Sequence, residues 1–294
     1  MTTTDFKNWN DYSKSAMVLE GGGSRGVFTA GVLDYFMEKN LFLPYVVGVS
    51  AGSCNAVDYA SAQIGRTRET FIIPDRSKRL FSYSNIAKIG CFYDMKKAFE
   101  TFPKEWFPFD FTEYQKRGMK TECVVTNIEN GKAEYLSEYF DFERLMKICR
   151  ASSTLPFAAD PVKLDGRIYM DGGLADSIPY GRAIMLGYKK VVVIATREAG
   201  YRKDPENKFA ALIKKKFAEY PKLVRAILSR PAVYNRQMSI MERLENEGRL
   251  FVIRPSEKVV GRTEQNVHKL EAFYEHGYNT AVDIYDDLIT WLEK

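Results

Sequence analysis

Histidine is almost missing from this chain: His268 and His276 are the only two in 294 residues. Cysteine is sparse as well. Cys54, Cys91, Cys123 and Cys149 are scattered with no C-x-x-C pair. That pattern excludes a disulfide framework and a zinc site and leaves reduced thiols. No apolar run approaches the roughly 20 residues that span a bilayer. Met1 to Lys14 is polar and lacks the apolar core of a signal peptide, so a cytoplasmic location is expected. There is no internal repeat and no low-complexity tract. The net charge of +5 is mild and names no partner by itself.

What is present fits a globular chain, with 45% hydrophobic and 28% charged residues and enough length for a full core. The centre of the pattern is Gly48-Val49-Ser50-Ala51-Gly52. It follows an apolar run, Tyr45 to Val49, and precedes a helix over 51–63. A G-x-S-x-G pentapeptide between strand and helix is the setting of a nucleophile elbow, where small residues let the chain turn and expose the serine. Upstream, Ala16 to Glu20 reads as a first buried strand. Gly21-Gly22-Gly23-Ser24-Arg25-Gly26 then leads into a helix reaching Asn40. This βαβα start predicts a mostly parallel sheet covered by helices, an α/β fold.

The glycine-rich turn has the literal spacing of a dinucleotide fingerprint. That fingerprint wants an acidic residue at the end of the second strand, and no Asp or Glu occurs from Leu41 to Cys54. No Gly-Lys-Ser/Thr follows, so a P-loop is excluded. The remaining reading is an oxyanion hole, in which backbone amides at a helix N-terminus face a developing negative charge. Arg25 either adds positive charge there or binds a phosphate, or it is a solvated side chain or part of a structural ion pair.

Further along, residues 65–120 are dense in aromatics (Phe71, Phe81, Tyr83, Phe92 and Tyr93 among them) and broken by prolines. They fit an apolar substrate wall or ordinary core packing. Thr121 to Ile128 and Lys132 to Leu136 flank Asn130-Gly131, a hairpin signal. A short helix over 141–150 is followed by the small-residue segment Ala151 to Phe157, suited to passing beneath a site. Arg167 to Met170 is a strand ending at Asp171-Gly172-Gly173. Lys190 to Ala195 is a strand of buried type. Residues 201–230 carry nine Lys and Arg against three acids. Apolar residues lie between them at helical spacing, which fits either a membrane-facing helix pair or helices packed on the domain with a solvated basic face. Leu250 to Ile253 is a last strand, and Arg262 to Trp291 a long amphipathic helix.

A serine nucleophile needs a base. Both histidines fall inside the last helix, roughly 115° and 165° from the centre of the stripe Val267, Leu270, Tyr274, Tyr278, Ala281, Tyr285 and Leu288 at about 100° per residue. Both are expected to face away from the packed side, which argues against a Ser-His-Asp triad. Asp171, at a strand end before two glycines, is the alternative base, given partial burial to raise its proton affinity.

The three motifs together, in this order, resemble the patatin-like phospholipase family over about Ala16 to Ala195. The resemblance implies a three-layer α/β/α core with a C-terminal helical extension. It implies Ser50 as nucleophile and Asp171 as base of a catalytic dyad. Gly21, Gly22, Gly23, Arg25 and Gly26 are then the oxyanion hole, Gly48 and Gly52 the elbow, and Gly172 and Gly173 the aspartate loop. Glu20 stands where many members have Asp, and Ser177 near where many have Asn. The expected organisation is a polar lead-in at 1–15, a catalytic core at 16–196, and a helical region at 197–294 packed on that core. The expected activity is hydrolysis of carboxylic esters, as a phospholipase, lysophospholipase or carboxylesterase, without cofactor or metal. The expected partners are a lipid or small ester and a membrane surface met through 201–230, with no nucleic acid. The competing readings are a non-catalytic lipid-binding protein on the same fold and a nucleotide-binding enzyme using Gly21–Gly26.

Overall fold

β-Branched and small apolar residues form the centre of an eight-stranded sheet. The computed structural model describes residues 12–81, 92–206, 208–257 and 259–294. The expected thiol at Cys91, the aromatic at Tyr83 and most of the lead-in fall outside them. The strands are β1 (Ser15–Leu19), β2 (Tyr45–Val49), β3 (Lys120–Asn127), β4 (Ala133–Leu136), β5 (Val162–Leu164), β6 (Arg167–Asp171), β7 (Lys190–Ile194) and β8 (Leu250–Ile253). Their order is β5-β6-β3-β2-β1-β7-β8, with β4 also on β3. The run β3-β2-β1-β7-β8 is parallel, and β4, β5 and β6 join antiparallel. Fully apolar strands such as β2 and β7 match a sheet buried on both faces.

The helices are α1 (Gly26–Glu38), α2 (Ala51–Ala60), α3 (Arg66–Phe71), α4 (Phe111–Arg117), α5 (Phe142–Ser153), α6 (Tyr180–Met185), α7 (Ala210–Lys216), α8 (Pro221–Asn246) and α9 (Val267–Glu293), with a π-helical segment at Lys97–Trp106. One face of the sheet is covered by Phe28, Val32 and Phe36 of α1, Ala56 and Tyr59 of α2, Leu145 and Ile148 of α5, and Leu270, Phe273 and Ala281 of α9. The opposite face is covered by Tyr180 and Ala183 of α6 and Tyr234, Met238 and Met241 of α8. This is the three-layer α/β/α arrangement.

Several elements differ in extent from the sequence reading. The helix read over 141–150 runs on through Ala151, Ser152 and Ser153, capped by Asp141, whose side chain accepts the Arg144 amide. The second helix of the basic stretch continues to Asn246 across Pro231, because buried Tyr234, Met238, Met241 and Leu244 extend its apolar stripe. The last helix starts later, at Val267 after an Asn266 cap. Its packed stripe is centred on Phe273 and Gly277, which the sequence reading passed over. His276 is therefore not turned to solvent. It lies against Phe28 with ring centres 5.4 Å apart, and its Nε2 accepts the Ser256 amide at 3.1 Å. His268 is exposed, as expected.

One feature of the sheet sets the site. β2 pairs with β3 up to Val49 opposite Val124, and β6 pairs with β3 from Asp171 opposite Val125. β4 pairs with Cys123 to Thr126, overlapping both, so it holds the other edge of β3. β2 and β6 thus share one edge end to end. The residue after Val49 is Ser50.

Candidate active site

Ser50 sits between β2 and α2 with φ 56° and ψ −123°, a conformation costly for a residue with a side chain. Two neighbours make the turn possible. A Cβ on Gly48 would lie 2.1 Å from the Gly52 carbonyl oxygen, and one on Gly52 would lie 2.5 Å from that of Leu19. The strained backbone is held by its surroundings. The Ser50 amide donates to Ser152 Oγ at 2.9 Å, Ser152 Oγ donates to the Val124 carbonyl at 2.6 Å, and Ser53 Oγ donates to the Ser50 carbonyl at 2.6 Å. The small-residue segment does pass beneath the site, but as the last turn of α5.

Asp171 ends β6 and is 2% exposed. Its amide donates to the Thr154 carbonyl at 2.8 Å, and its Oδ1 accepts the Gly173 amide at 2.7 Å. The Ser50 hydroxyl lines the same cleft, close enough to the carboxylate to favour its charged form. Burial pushes the carboxyl above its usual range, opposed by the Arg230 charge, the Ser50 hydroxyl, the Gly173 amide and Arg262.

Serine and carboxylate open into one cleft of about 1050 Å³, counted out to its mouth. Gly21, Gly22, Gly23, Arg25 and Gly173 line it. Gly26, Gly48, Gly52 and Gly172 stand behind it. The turn Gly23–Arg25 runs directly into α1, so its amides sit at a helix N-terminus. Gly23 has φ 58°, and the Ser24 amide donates to the Arg262 carbonyl at 2.8 Å, which pins the turn from the far end of the chain. Arg25 is buried, and loss of solvation followed by the nearby Arg197 charge holds it down to about 10.

Phe71, Phe81, Phe92 and Tyr93 line the apolar wall, whereas Phe99, Phe102, Phe109 and Tyr114 are core. The aromatic segment thus divides between the wall of the cleft and the core. A second, apolar cavity, about 490 Å³ counted out to its mouth, shares Cys54, Phe71 and Tyr93 with the cleft and is lined further by Phe99, Phe102 and Met146. Burial keeps the Cys54 thiol well above its usual range, so it is inert as a nucleophile. Neither histidine lines the cleft.

Sequence reasoning missed one wall altogether. Arg197, Tyr201, Lys203, Arg230, Tyr234, Arg262 and Thr263 all face the cleft, and all lie beyond the motif-bearing core. The one available signal was the density of cations between 201 and 230. Glu20 joins this wall to the sheet: its carboxylate accepts the Thr196 amide at 2.7 Å and the Tyr234 hydroxyl at 2.8 Å. Ser177 supports the aspartate loop by donating to the Gly173 carbonyl at 2.8 Å.

Fold and cleft together define a three-layer α/β protein with a serine–carboxylate pair at the ends of two strands. The chain belongs to the patatin-like phospholipase family, whose model matches residues 17–184. A second model, a domain of unknown function (DUF6363), matches residues 220–293. The uncharacterized protein YjjU of Escherichia coli (strain K12) is 31% identical over 195 residues, covering 62% of this chain and 51% of that protein. The lysophospholipase NTE1 of Meyerozyma guilliermondii is 26% identical over 184 residues, covering 60% of this chain and 12% of that protein. The chain thus spans about half the length of the first relative and a small part of the second. The crystal structure of VipD from Legionella pneumophila shares the fold, with a TM-score of 0.52 at 16% identity over 93% of this chain and 67% of that one.

Proposed function

We propose that the protein is a lipid acyl hydrolase working through a Ser50–Asp171 dyad. The observation that carries this reading is the strained Ser50 facing the same cleft as the buried Asp171 carboxylate, with an apolar cavity bordering that cleft. Ser50 Oγ attacks the ester carbonyl carbon while Asp171 takes its proton. The negative charge on the carbonyl oxygen is met by amides of Gly22 and Gly23, a contribution of about 3 kcal/mol per donor. Collapse of the tetrahedral species expels the alcohol, which receives the proton from Asp171. Water then attacks the acyl-enzyme and Asp171 again accepts the proton; collapse breaks the Ser50 Oγ–acyl bond, returns that proton to Ser50 Oγ and releases the carboxylic acid. Burial of Asp171 raises its proton affinity, as a carboxylate acting as general base requires.

The acyl chain extends along Phe71, Tyr93 and Cys54 into the second cavity. Membrane contact is part of the same reading. Phe209 and Leu212 are exposed beside Lys214, Lys215 and Lys216 on α7, and exposed Phe157 packs on Phe217 near the cleft. An apolar and basic patch suits an anionic interface.

The test is labelling with an uncharged fluorophosphonate and hydrolysis of a short neutral ester. Wild type should label at Ser50, Ser50→Ala should neither label nor turn over, and the double variant His268→Ala/His276→Ala should do both. A folded wild type that fails to label removes the hydrolase reading in favour of lipid binding without catalysis.

A further inference from the structure

Four cations from distant parts of the chain converge on the cleft. Arg25 comes from the glycine-rich turn, Lys203 and Arg230 from the basic stretch, and Arg262 from the segment before α9. With Arg197 the wall carries five cations against two carboxylates, Glu20 and Asp171. Both carboxylates are already engaged, Glu20 by Thr196 and Tyr234, Asp171 by the Gly173 amide. Among the described residues none of the five cations makes an ion pair of 4.0 Å or less.

The cluster is strained electrostatically. Loss of solvation, then the Arg230 charge, brings Lys203 down to about 6, so its cationic form at neutral pH calls for an anion beside it. Loss of solvation and the Arg262 charge lower Arg230. Arg25 Nε is buried without a hydrogen-bond partner. Unpaired cations in a largely desolvated wall are unfavourable unless an anion completes them.

We propose that Arg25, Lys203, Arg230 and Arg262 form an anion subsite that holds a phosphate monoester carried by the substrate, so that the cleft selects an anionic acyl ester over its zwitterionic and uncharged counterparts. Several cations match an oxyanion with three terminal oxygens, the arginines as planar forks and the lysine as a point charge. A phosphocholine group would bring a further cation into this wall. The rings that could cradle its ammonium already face cations: the Arg197 guanidinium lies 4.0 Å from the Tyr201 ring centre, and Lys203 Nζ lies 3.3 Å from that of Tyr234. Three of the four cations lie beyond residue 196, so headgroup choice falls to the C-terminal region and bond cleavage to the core. The preference among esters rests on the hydrolase reading; binding of the anion does not.

The experiment has two arms on the whole chain. In the first, calorimetry measures binding of inorganic phosphate to wild type. In the second, kcat/KM is compared for 1-oleoylglycerol, its 3-phosphate and its 3-phosphocholine, after labelling with the uncharged fluorophosphonate has verified Ser50. Phosphate should bind and compete with the phosphorylated ester. The 3-phosphate should exceed both other esters by about tenfold or more, the scale of a charge-assisted contact. Arg262→Gln and Lys203→Met should each cut that ratio severalfold. Equal rates for the three esters in a labelled wild type, or preference for the phosphocholine, overturn the proposal. Phosphate binding without an ester preference also overturns it, by assigning the subsite to a free anion. If Ser50 does not label, the hydrolase reading fails alone and calorimetry decides the subsite: no phosphate binding, no subsite. Wild-type measurements suffice should either variant fail to fold.

Discussion

Asp171 is held in a state that costs stability. Its carboxyl is pushed above the usual range by burial, so the folded protein binds this proton more tightly than the unfolded chain does. Between the ordinary carboxylate value and the raised one, stability therefore falls as pH rises. Removing the charge should reverse that cost. Asp171→Asn should melt higher than wild type at pH 7, by about 0.5–2 kcal/mol, while losing about 10²–10⁴-fold in ester turnover. With Asp171 as the base, the acid limb of wild-type kcat/KM on a neutral ester should fall above the usual carboxylate range. A lower melting point for Asp171→Asn would contradict this account of its environment. Cys54 gives a second residue-scale prediction, because it borders both cavities. Cys54→Trp should block the acyl path proposed above, lowering kcat/KM for long-chain esters by about tenfold relative to short ones. Ser50 and Asp171 were legible because their motifs are local in sequence and few other bases exist. Lys203, Arg230 and Arg262 were not, since only tertiary folding brings them together and a basic stretch looks the same on a solvated face.

Helix packing shows where the sequence pattern misled. The tyrosines of α9 drew the apolar stripe toward Tyr274, Tyr278 and Tyr285, each partly exposed. Two of them are bound by carboxylates of α1, Tyr274 by Asp34 and Tyr278 by Glu38. The closest approach runs instead through two glycines. A Cβ on Gly277 would lie 2.1 Å from the Phe28 carbonyl oxygen, and one on Gly31 would lie 2.2 Å from that of Tyr274. Hydrophobicity scales give glycine little weight, so a helix contact made through glycine leaves no apolar signature. Backbone oxygens cannot yield as side chains do. Gly277→Ala should therefore force α1 and α9 apart and cost about 2–3 kcal/mol, at the upper end for overpacking, measured by denaturant unfolding. Labelling of Ser50 at temperatures where the variant is folded should persist, because neither helix face carries the serine. Strand positions were easier to read. β2 and β7 are apolar throughout, and the Asn130-Gly131 turn announced β4.

At the scale of the molecule, the region beyond residue 196 completes the fold as well as the cleft. β8 pairs with β7 and extends the sheet, α8 covers one face and α9 the other. A fragment ending at residue 196 would leave β7 as an open edge and bare much of both faces, a combination that leads to aggregation. It should be insoluble or give no cooperative melt, whereas an autonomous core would give a sigmoidal transition and label at Ser50. The chain's likeness to known proteins divides differently, with one family model over 17–184 and another over 220–293, yet the sheet and the cleft ignore that division.

Val124 and Val125 are consecutive residues of β3, and they hold the strand ends from which Ser50 and Asp171 project. The spacing of the two groups is thus set by a single peptide unit in the middle of the sheet. Loops can breathe and helices can fray without altering it, but it cannot outlast the ladder on either side of that peptide. On the proposed dyad, reactivity at Ser50 becomes a gauge of whether the sheet is closed, and a half-folded chain has no working form to leak into.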